Sequence, residues 1–571
     1  MRQSLPKEDP GSLRGFLFLP QRWPSILLAA LVAALASALL VKHGFSAYDD
    51  GTYAWVMEAL LGGQALHADV PWSHPGYDLW ILLPFRDFLA GDILHYRYFL
   101  PPLAGITAAC VTLLAKRANA STALGVGLCV GGLGFAQFST YSASWFAVTL
   151  TACCVVAAYR GSTRNSEKFR IAWLALAGLF AGLAFGFRGP NGIAALVAAT
   201  MTFHYYDAAD AGPRPHWSSR ALALAFFLCI VALASIADTL ERALFAAPPI
   251  VASLMLLPRA WRDGRNLVRS TAALGIGFLL GIAPFCIVTI AQGSFGAMLH
   301  DIVAIPMSIT DSLSGYKGYN ISDLITQTLE IATSSPPSIP AWINAAFFLL
   351  TVASPVYLVY RLAIGGKPSP ALILAAFSCV GVITLPNLIY APFVWPFVLS
   401  VYLDSGNTRS EGKRRFAIVA LCLLGMFVTP RGFLPGSLGW MTTPEILKTA
   451  DCPLDHCSVV ADARFLEFLE RDVATIRRNV EPTRPLVILP SSAAYAYFVP
   501  NPLPFALRID NLEEREQGAA FRDGFRIDPR LVIAVNAESA KKYSSLLDGF
   551  VVFREEDDWQ FLEPVPSRTG L

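Results

Sequence analysis

The sequence predicts a mostly α, polytopic transmembrane helical bundle with a C-terminal soluble α/β domain, and three observations carry that expectation. Of 571 residues, 54% are hydrophobic and 15% charged, with a mean hydropathy of +0.49, whereas a soluble domain carries roughly 25% charge. Apolar segments of bilayer-spanning length recur as far as residue 430. Lysine and arginine gather in alternate connections, as the positive-inside rule asks of a multi-pass protein. The formal net charge of +2 gives no support for a nucleic-acid partner or a polybasic anchor.

Taken in order, residues 1–24 form a polar, basic tail with Arg2, Lys7, Arg14 and Arg22. Residues 25–41 follow as the first span; Ala36, Ser37 and Ala38 give it the look of a signal peptide, but the spans after it favour an uncleaved helix. The loop 42–97 opens on an acidic pair, Asp49 and Asp50. Carboxylates beside hydrocarbon are costly, so they mark a functional site. Within that loop, 52–66 and 76–90 mix aromatics and leucines with Glu58, Asp78, Arg86 and Asp87, the pattern of helices lying in the interface plane.

Further spans are expected at 98–114, 120–138, 142–159, 171–187, 191–206, 221–236, 244–257, 271–292, 341–359, 371–385, 391–403 and 416–429, about thirteen with the first. The basic clusters Lys116/Arg117, Arg160 to Arg170, Arg214/Arg220, Arg259 to Arg269, Arg361/Lys367 and Arg409 to Arg415 then face one side. That side is the cytoplasm, so the N-terminus is inside. Asp49, Asp50, the turn at Arg188, the loop 293–340 and the C-terminal domain fall outside. Gly178, Gly182 and Gly186, with Gly277 and Gly281, recur every four residues, as helices in close contact do.

Residues 445–571 read as the soluble domain, with strands at 485–490 and 531–535 and an amphipathic helix at 461–476. Eight cysteines sit in apolar segments as small hydrophobes. Cys452 and Cys457 stand in polar sequence, spaced for a small disulfide loop in an oxidising compartment. His456 lies between them, but no second ligand pair follows, so no metal site is assigned.

The first loop, with Tyr48-Asp49-Asp50-Gly51-Thr52-Tyr53, Leu60-Leu61-Gly62-Gly63, His67-Ala68-Asp69-Val70 and Ser73-His74-Pro75-Gly76, resembles the first outer loop of GT-C membrane glycosyltransferases. That group includes the protein mannosyltransferases and the aminoarabinose transferase of lipid A. The stretch from Gly182 through Arg188 to Gly192 is similar to the family's glycine-rich helix ending at a basic outer turn, with arginine where lysine is usual. The resemblance implies an integral protein of the cell inner membrane, a polyprenyl-phosphate sugar donor, a lipid, glycan or protein acceptor, and inversion at the anomeric carbon. No cofactor is required by the residues. Some members bind a divalent ion near the acidic loop, and no complete ligand set is present here.

The chemistry suits the residues on its own terms. An acceptor hydroxyl needs a base, which Asp49 or Asp50 supplies. The departing lipid phosphate gains charge, which a fixed cation stabilises, and the arginine fork of Arg188 fits phosphate oxygens. Lys317 in the later outer loop is a second candidate for the phosphate. Asp69, His74 and Tyr53 are candidates to orient the loop or touch substrate. Helix capping by the aspartates and snorkelling by Arg188 are the competing structural roles. The alternative function is a lipid or sugar flippase, which would place ionisable residues within the spans and show an internal repeat; neither is evident.

Overall fold

The computed structural model describes residues 22–565 except 46, 116–118, 165, most of 207–239, 263–267, 315–338, 365–366, 384–387, 405–410, 429–448, 490–494, 500–501, 503–529 and 545–546. The membrane-type part contains α1 (Trp23–Leu40), α2 (Ala47–Leu61), α3 (Tyr77–Trp80), α4 (Arg86–Leu89), α5 (Ile93–Arg97) and α6 (Leu100–Leu114). It continues with α7 (Ala120–Leu128), α8 (Ala143–Ser162), α9 (Glu167–Phe187), α10 (Gly189–Tyr206), α11 (Leu240–Arg262), α12 (Val268–Ala291), α13 (Phe295–Ser314) and α14 (Ile339–Ile364). After these come α15 (Pro370–Ser378), α16 (Val380–Ile383), a 3-10 turn (Leu388–Phe393), α17 (Trp395–Asp404) and α18 (Glu411–Val428). Among the described residues, five helical stretches are long and apolar enough to cross a membrane: Trp23–Leu40, Ile93–Leu114, Ala143–Ser162, Glu167–Phe187 and Arg269–Ala291. Shorter apolar helices accompany them. The expected span 221–236 lies mostly outside the described residues.

Local chemistry sets the helix starts. Asn119, Ser142 and Ser369 cap α7, α8 and α15, each side-chain oxygen accepting a backbone N–H of the first turn. The helix α7 runs into a π-helical segment, Cys129–Phe135, that packs on α1. Helices α9 and α12 meet through their glycines: a Cβ on Gly178 would lie 2.0 Å from the Leu274 carbonyl oxygen, and one on Gly277 would lie 1.9 Å from that of Ala175. Backbone is touching backbone there, and no rotamer change makes room.

The helix α2 departs from expectation. It begins at Ala47, so Asp49 and Asp50 lie within its first turn, and residues 50 to 57 are all buried. It is enclosed by protein, because Tyr53, Trp55 and Met57 point in different directions and each finds a packing partner. The second stretch, 76–90, breaks into short pieces at Pro84 and leaves Ile81, Leu83, Phe85 and Phe88 exposed.

The C-terminal part contains β1 (Thr449–Asp451), β2 (Val460–Asp462), α19 (Ala463–Asn479), β3 (Leu486–Leu489), β4 (Val532–Asn536), α20 (Ala537–Lys542), β5 (Phe550–Glu556) and β6 (Trp559–Pro564). Strands β1 and β2 pair antiparallel, and the four-stranded sheet has the order β3-β4-β6-β5, with β3 and β4 parallel. Leu466, Leu469, Val473 and Ile476 form the buried stripe of α19, spaced by three and four residues as one helix face requires. This part shares one core with the first loop, in which Tyr53, Trp55 and Leu79 join Leu466, Ile488 and Phe561. Gly44 N–H donates to the Val460 carbonyl and Val460 N–H to that of Lys42, both at 2.8 Å. Cys452 and Cys457 are disulfide-bonded, and the closed loop docks on the α4–α5 turn: Ile93 N–H donates to the His456 carbonyl, and Ser458 donates twice to Asp92.

Replacing Gly178 or Gly277 by leucine is expected to cost at least the ~1–3 kcal/mol of an overpacked core and to lower the thermal unfolding midpoint in detergent; an unchanged midpoint would show that α9 and α12 do not pack as described. Replacing both Cys452 and Cys457 by serine is expected to raise proteolytic cutting between residues 449 and 462 while leaving the helices intact, read by limited proteolysis and circular dichroism.

Candidate active site

The two aspartates of α2 part company. Asp50 is 3% exposed, and its carboxylate takes both arms of Arg97, with Oδ2 2.5 Å from Nη2 and Oδ1 3.2 Å from Nε. Arg97, itself fully buried, also donates from Nη1 to the carbonyls of Val41 at 3.1 Å and His43 at 3.4 Å. One ion pair therefore joins the end of α1, the start of α2 and the end of α5. Asp49 is partly exposed, and both carboxylates sit at the positive end of the helix dipole.

Arg188 is 4% exposed, in extended conformation between α9 and α10. Its Nη1 donates to Ser144 Oγ near the start of α8, and its guanidinium carbon lies 5.3 Å from the centroid of the Tyr390 ring. The Tyr390 hydroxyl is within the electrostatic reach of both Asp49 and Arg188. Asp49 and Arg188 thus both act electrostatically on one phenol.

Tyr53, four residues after Asp49 and so on the same face of α2, donates to Asp78 Oδ2 and accepts from Ala143 N–H, both at 3.1 Å. Trp72 Nε1 donates to the same carboxylate at 3.1 Å, and the Tyr141 hydroxyl donates to the Asp78 backbone carbonyl at 2.6 Å. Asp78 is wholly enclosed. Burial pushes its carboxyl up to about 7, against the hydrogen bonds of Tyr53 and Trp72 that hold it down.

His74 lies edge-on to Trp72, with ring centroids 5.9 Å apart. Burial, and then the charge of Arg188, push its imidazole down to about 3. It stays neutral at physiological pH and can orient a substrate only as a neutral donor or acceptor. Asp69 is exposed and accepts from Ala65 N–H at 2.7 Å, closing its own turn. Lys317 lies outside the described residues.

Three features escaped sequence reasoning. Arg97 is not among the residues the sequence singles out, and Asp78 stands there only as one charge in a stretch of mixed composition. His67, with φ of 68° and no exposed surface, places Nδ1 3.1 Å from Asp301 Oδ2 on α13, where Trp72 N–H also donates at 3.4 Å. Asp78 had the one available signal, a lone acid among Tyr77, Leu79 and Trp80. Among the described residues no group of three or more histidine, cysteine or acidic side chains is arranged to hold a metal ion.

Arg97→Ala leaves Asp50 buried without its cation and is expected to cost ~3–5 kcal/mol, seen as a large fall in the thermal midpoint. The double variant Asp50→Leu with Arg97→Met is expected to recover much of that loss; a double variant less stable than Arg97→Ala would count against the pair as the organising contact.

No family model matches the chain, and no curated protein matches it. Among solved structures it is similar to ArnT from Cupriavidus metallidurans bound to undecaprenyl phosphate, at 14% identity and a TM-score of 0.49, covering 95% of this chain and 98% of that one. It is also similar to the Archaeoglobus fulgidus oligosaccharyltransferase in the apo form, at 13% identity and a TM-score of 0.41, covering 93% of this chain and 71% of that one.

Proposed function

We propose that the chain is a membrane glycosyltransferase that moves a sugar from a polyprenyl-phosphate donor to an acceptor on the outer face of the cytoplasmic membrane, with inversion. The observation that carries the reading is that the buried Arg188 is fixed by Ser144 and the face of Tyr390, a phenol that also feels the charge of Asp49. Asp49 takes the proton of the acceptor hydroxyl as that oxygen attacks the anomeric carbon. The bond from that carbon to the phosphate oxygen breaks as the new one forms. The negative charge that grows on the departing lipid phosphate is stabilised by Arg188, held by Ser144 and by the face of Tyr390. An arginine so fixed needs no reorganisation as charge develops, which is the condition for strong electrostatic catalysis.

In this reading Asp50 is the anchor and Asp49 the base, because both carboxylate oxygens of Asp50 are engaged by the buried Arg97. The donor class rests on the resemblance of the first loop, and the C-terminal part serves as the cover that packs that loop in place.

The test is transfer of radiolabelled sugar by the full chain in nanodiscs, offered a panel of polyprenyl-phosphate sugars with membrane extract. Asp49→Asn is expected to lower kcat by about 10² to 10⁴ with the thermal midpoint kept. Asp50→Asn is expected to lower the midpoint as well. Arg188→Ala should abolish turnover and Arg188→Lys restore part of it, since a point charge replaces a fork. Full activity in Asp49→Asn would remove this assignment.

A further inference from the structure

We infer that Asp78 is a positioning residue for the transfer reaction, fixing Asp49 and Arg188 relative to one another through Tyr53 and the first turn of α8. The inference rests on the glycosyltransferase reading and concerns how that site is held.

The path is short and every link is buried. Asp78 accepts from Tyr53, whose oxygen in turn accepts from Ala143 N–H. The next residue, Ser144, receives the hydrogen bond of Arg188. In the other direction Tyr53 is one turn from Asp49 on α2, so an error in the phenol's position moves the carboxylate with it. The rings of Tyr141 and Trp72 pack edge-on against Tyr53 at 4.7 and 5.2 Å. Trp72 leads to His74 two residues on, whose ring it touches edge-on.

Asp78 is itself held from the bundle. The neighbouring Tyr77 donates to the Gly281 carbonyl on α12 at 2.8 Å. Its ring lies where a Cβ on Gly186 of α9 would fall, 2.0 Å from the nearest ring carbon. Gly76, with φ of 118°, makes the turn that starts α3, and a Cβ there would meet Leu66 at 2.6 Å. The carboxylate is therefore a fixed point of the bundle to which the loop is tied.

A buried aspartate held by a hydroxyl, an indole and backbone N–H groups, with no cation against it in that set, is an unusual choice for a purely structural post, since an amide or a hydroxyl would cost less to bury. Its chemistry differs from theirs in one respect: when ionised it accepts from Tyr53 and Trp72 together, and when protonated one oxygen becomes a donor and one of those bonds must break or reverse. The titratable groups facing it are Tyr53 from α2 and Tyr141 ahead of α8, with Tyr96 of α5 behind Tyr141. Burial pushes all three phenols up, so they stay neutral at physiological pH. Beyond them stand Arg188, within reach of Tyr53, and the neutral His74.

The experiment compares wild type, Asp78→Asn and Tyr53→Phe as full chains in nanodiscs, measuring kcat and KM across the pH range around neutrality. The tryptophan fluorescence titration is followed beside them, with Trp72→Phe identifying the Trp72 signal. Wild-type kcat is expected to rise through an ionisation near the value of about 7 described for Asp78. Asp78→Asn is expected to hold at every pH the rate that the wild type shows at its acid end, about ten- to a hundredfold below the neutral rate, with KM little changed. The Trp72 titration should vanish in the same variant. Should Asp78→Asn not fold, Tyr53→Phe carries the test, with a comparable fall in kcat at unchanged KM. An active wild type whose pH profile persists in Asp78→Asn, or wild-type kcat in Tyr53→Phe, overturns the positioning role alone. A wild type that transfers sugar from no donor while its Trp72 titration is intact overturns the glycosyltransferase reading, and the positioning role with it, leaving Asp78 as an anchor of the loop.

Discussion

A carboxylate that is almost wholly enclosed has to be neutralised, and the first loop of this protein is arranged around meeting that requirement at Asp50. Leaving such a group unpaired costs several kcal/mol. Arg97 supplies both arms to it and spends its remaining donor on the carbonyls at the end of α1. Three chain segments distant in sequence thereby acquire one fixed relation. The direction of α2 follows, and with it the places of Asp49 and Tyr53.

The site also depends on the close approach of helices that have no side chain to separate them. Gly186 lets Tyr77 lie flat against α9, and the glycines of α9 and α12 bring Gly281 near enough for the Tyr77 hydroxyl to reach its carbonyl. Small residues inside the bundle thus decide where an outer-loop aromatic can stand. That aromatic in turn fixes Asp78 and the hydrogen bonds that reach α8.

Much of this was legible in the residues, and the rest was hidden for identifiable reasons. Apolar runs and helix-capping residues reveal where the helices of the bundle lie, because both are local signals. The acidic pair and Arg188 stood out because charge near hydrocarbon is expensive wherever it occurs. Which aspartate is locked could not be read, because Arg97 lies 47 positions from Asp50 and no periodicity links them. The meeting of His67 with Asp301 spans 234 positions and was hidden in the same way. The interfacial character expected of 52–66 was misleading, since mixed aromatic and charged composition also suits a helix enclosed by a separate part of the chain. That enclosing part is the C-terminal one, whose packing on the loop is a property of the tertiary structure and of neither segment alone.

The shared core of the first loop and the C-terminal part has a consequence for biogenesis. A ribosome makes residues 42–97 early and the residues that cover them last, so Trp55, Tyr53 and Leu79 must pass most of the period of synthesis without their final neighbours. During that interval the loop has apolar surface available to chaperones, lipids or other nascent chains. The core of the first loop is completed only once the C-terminal helix and strands that share it have been made. A chain cut before residue 445 would keep most of the described bundle and still leave Tyr53, Trp55 and Leu79 without the side chains that cover them.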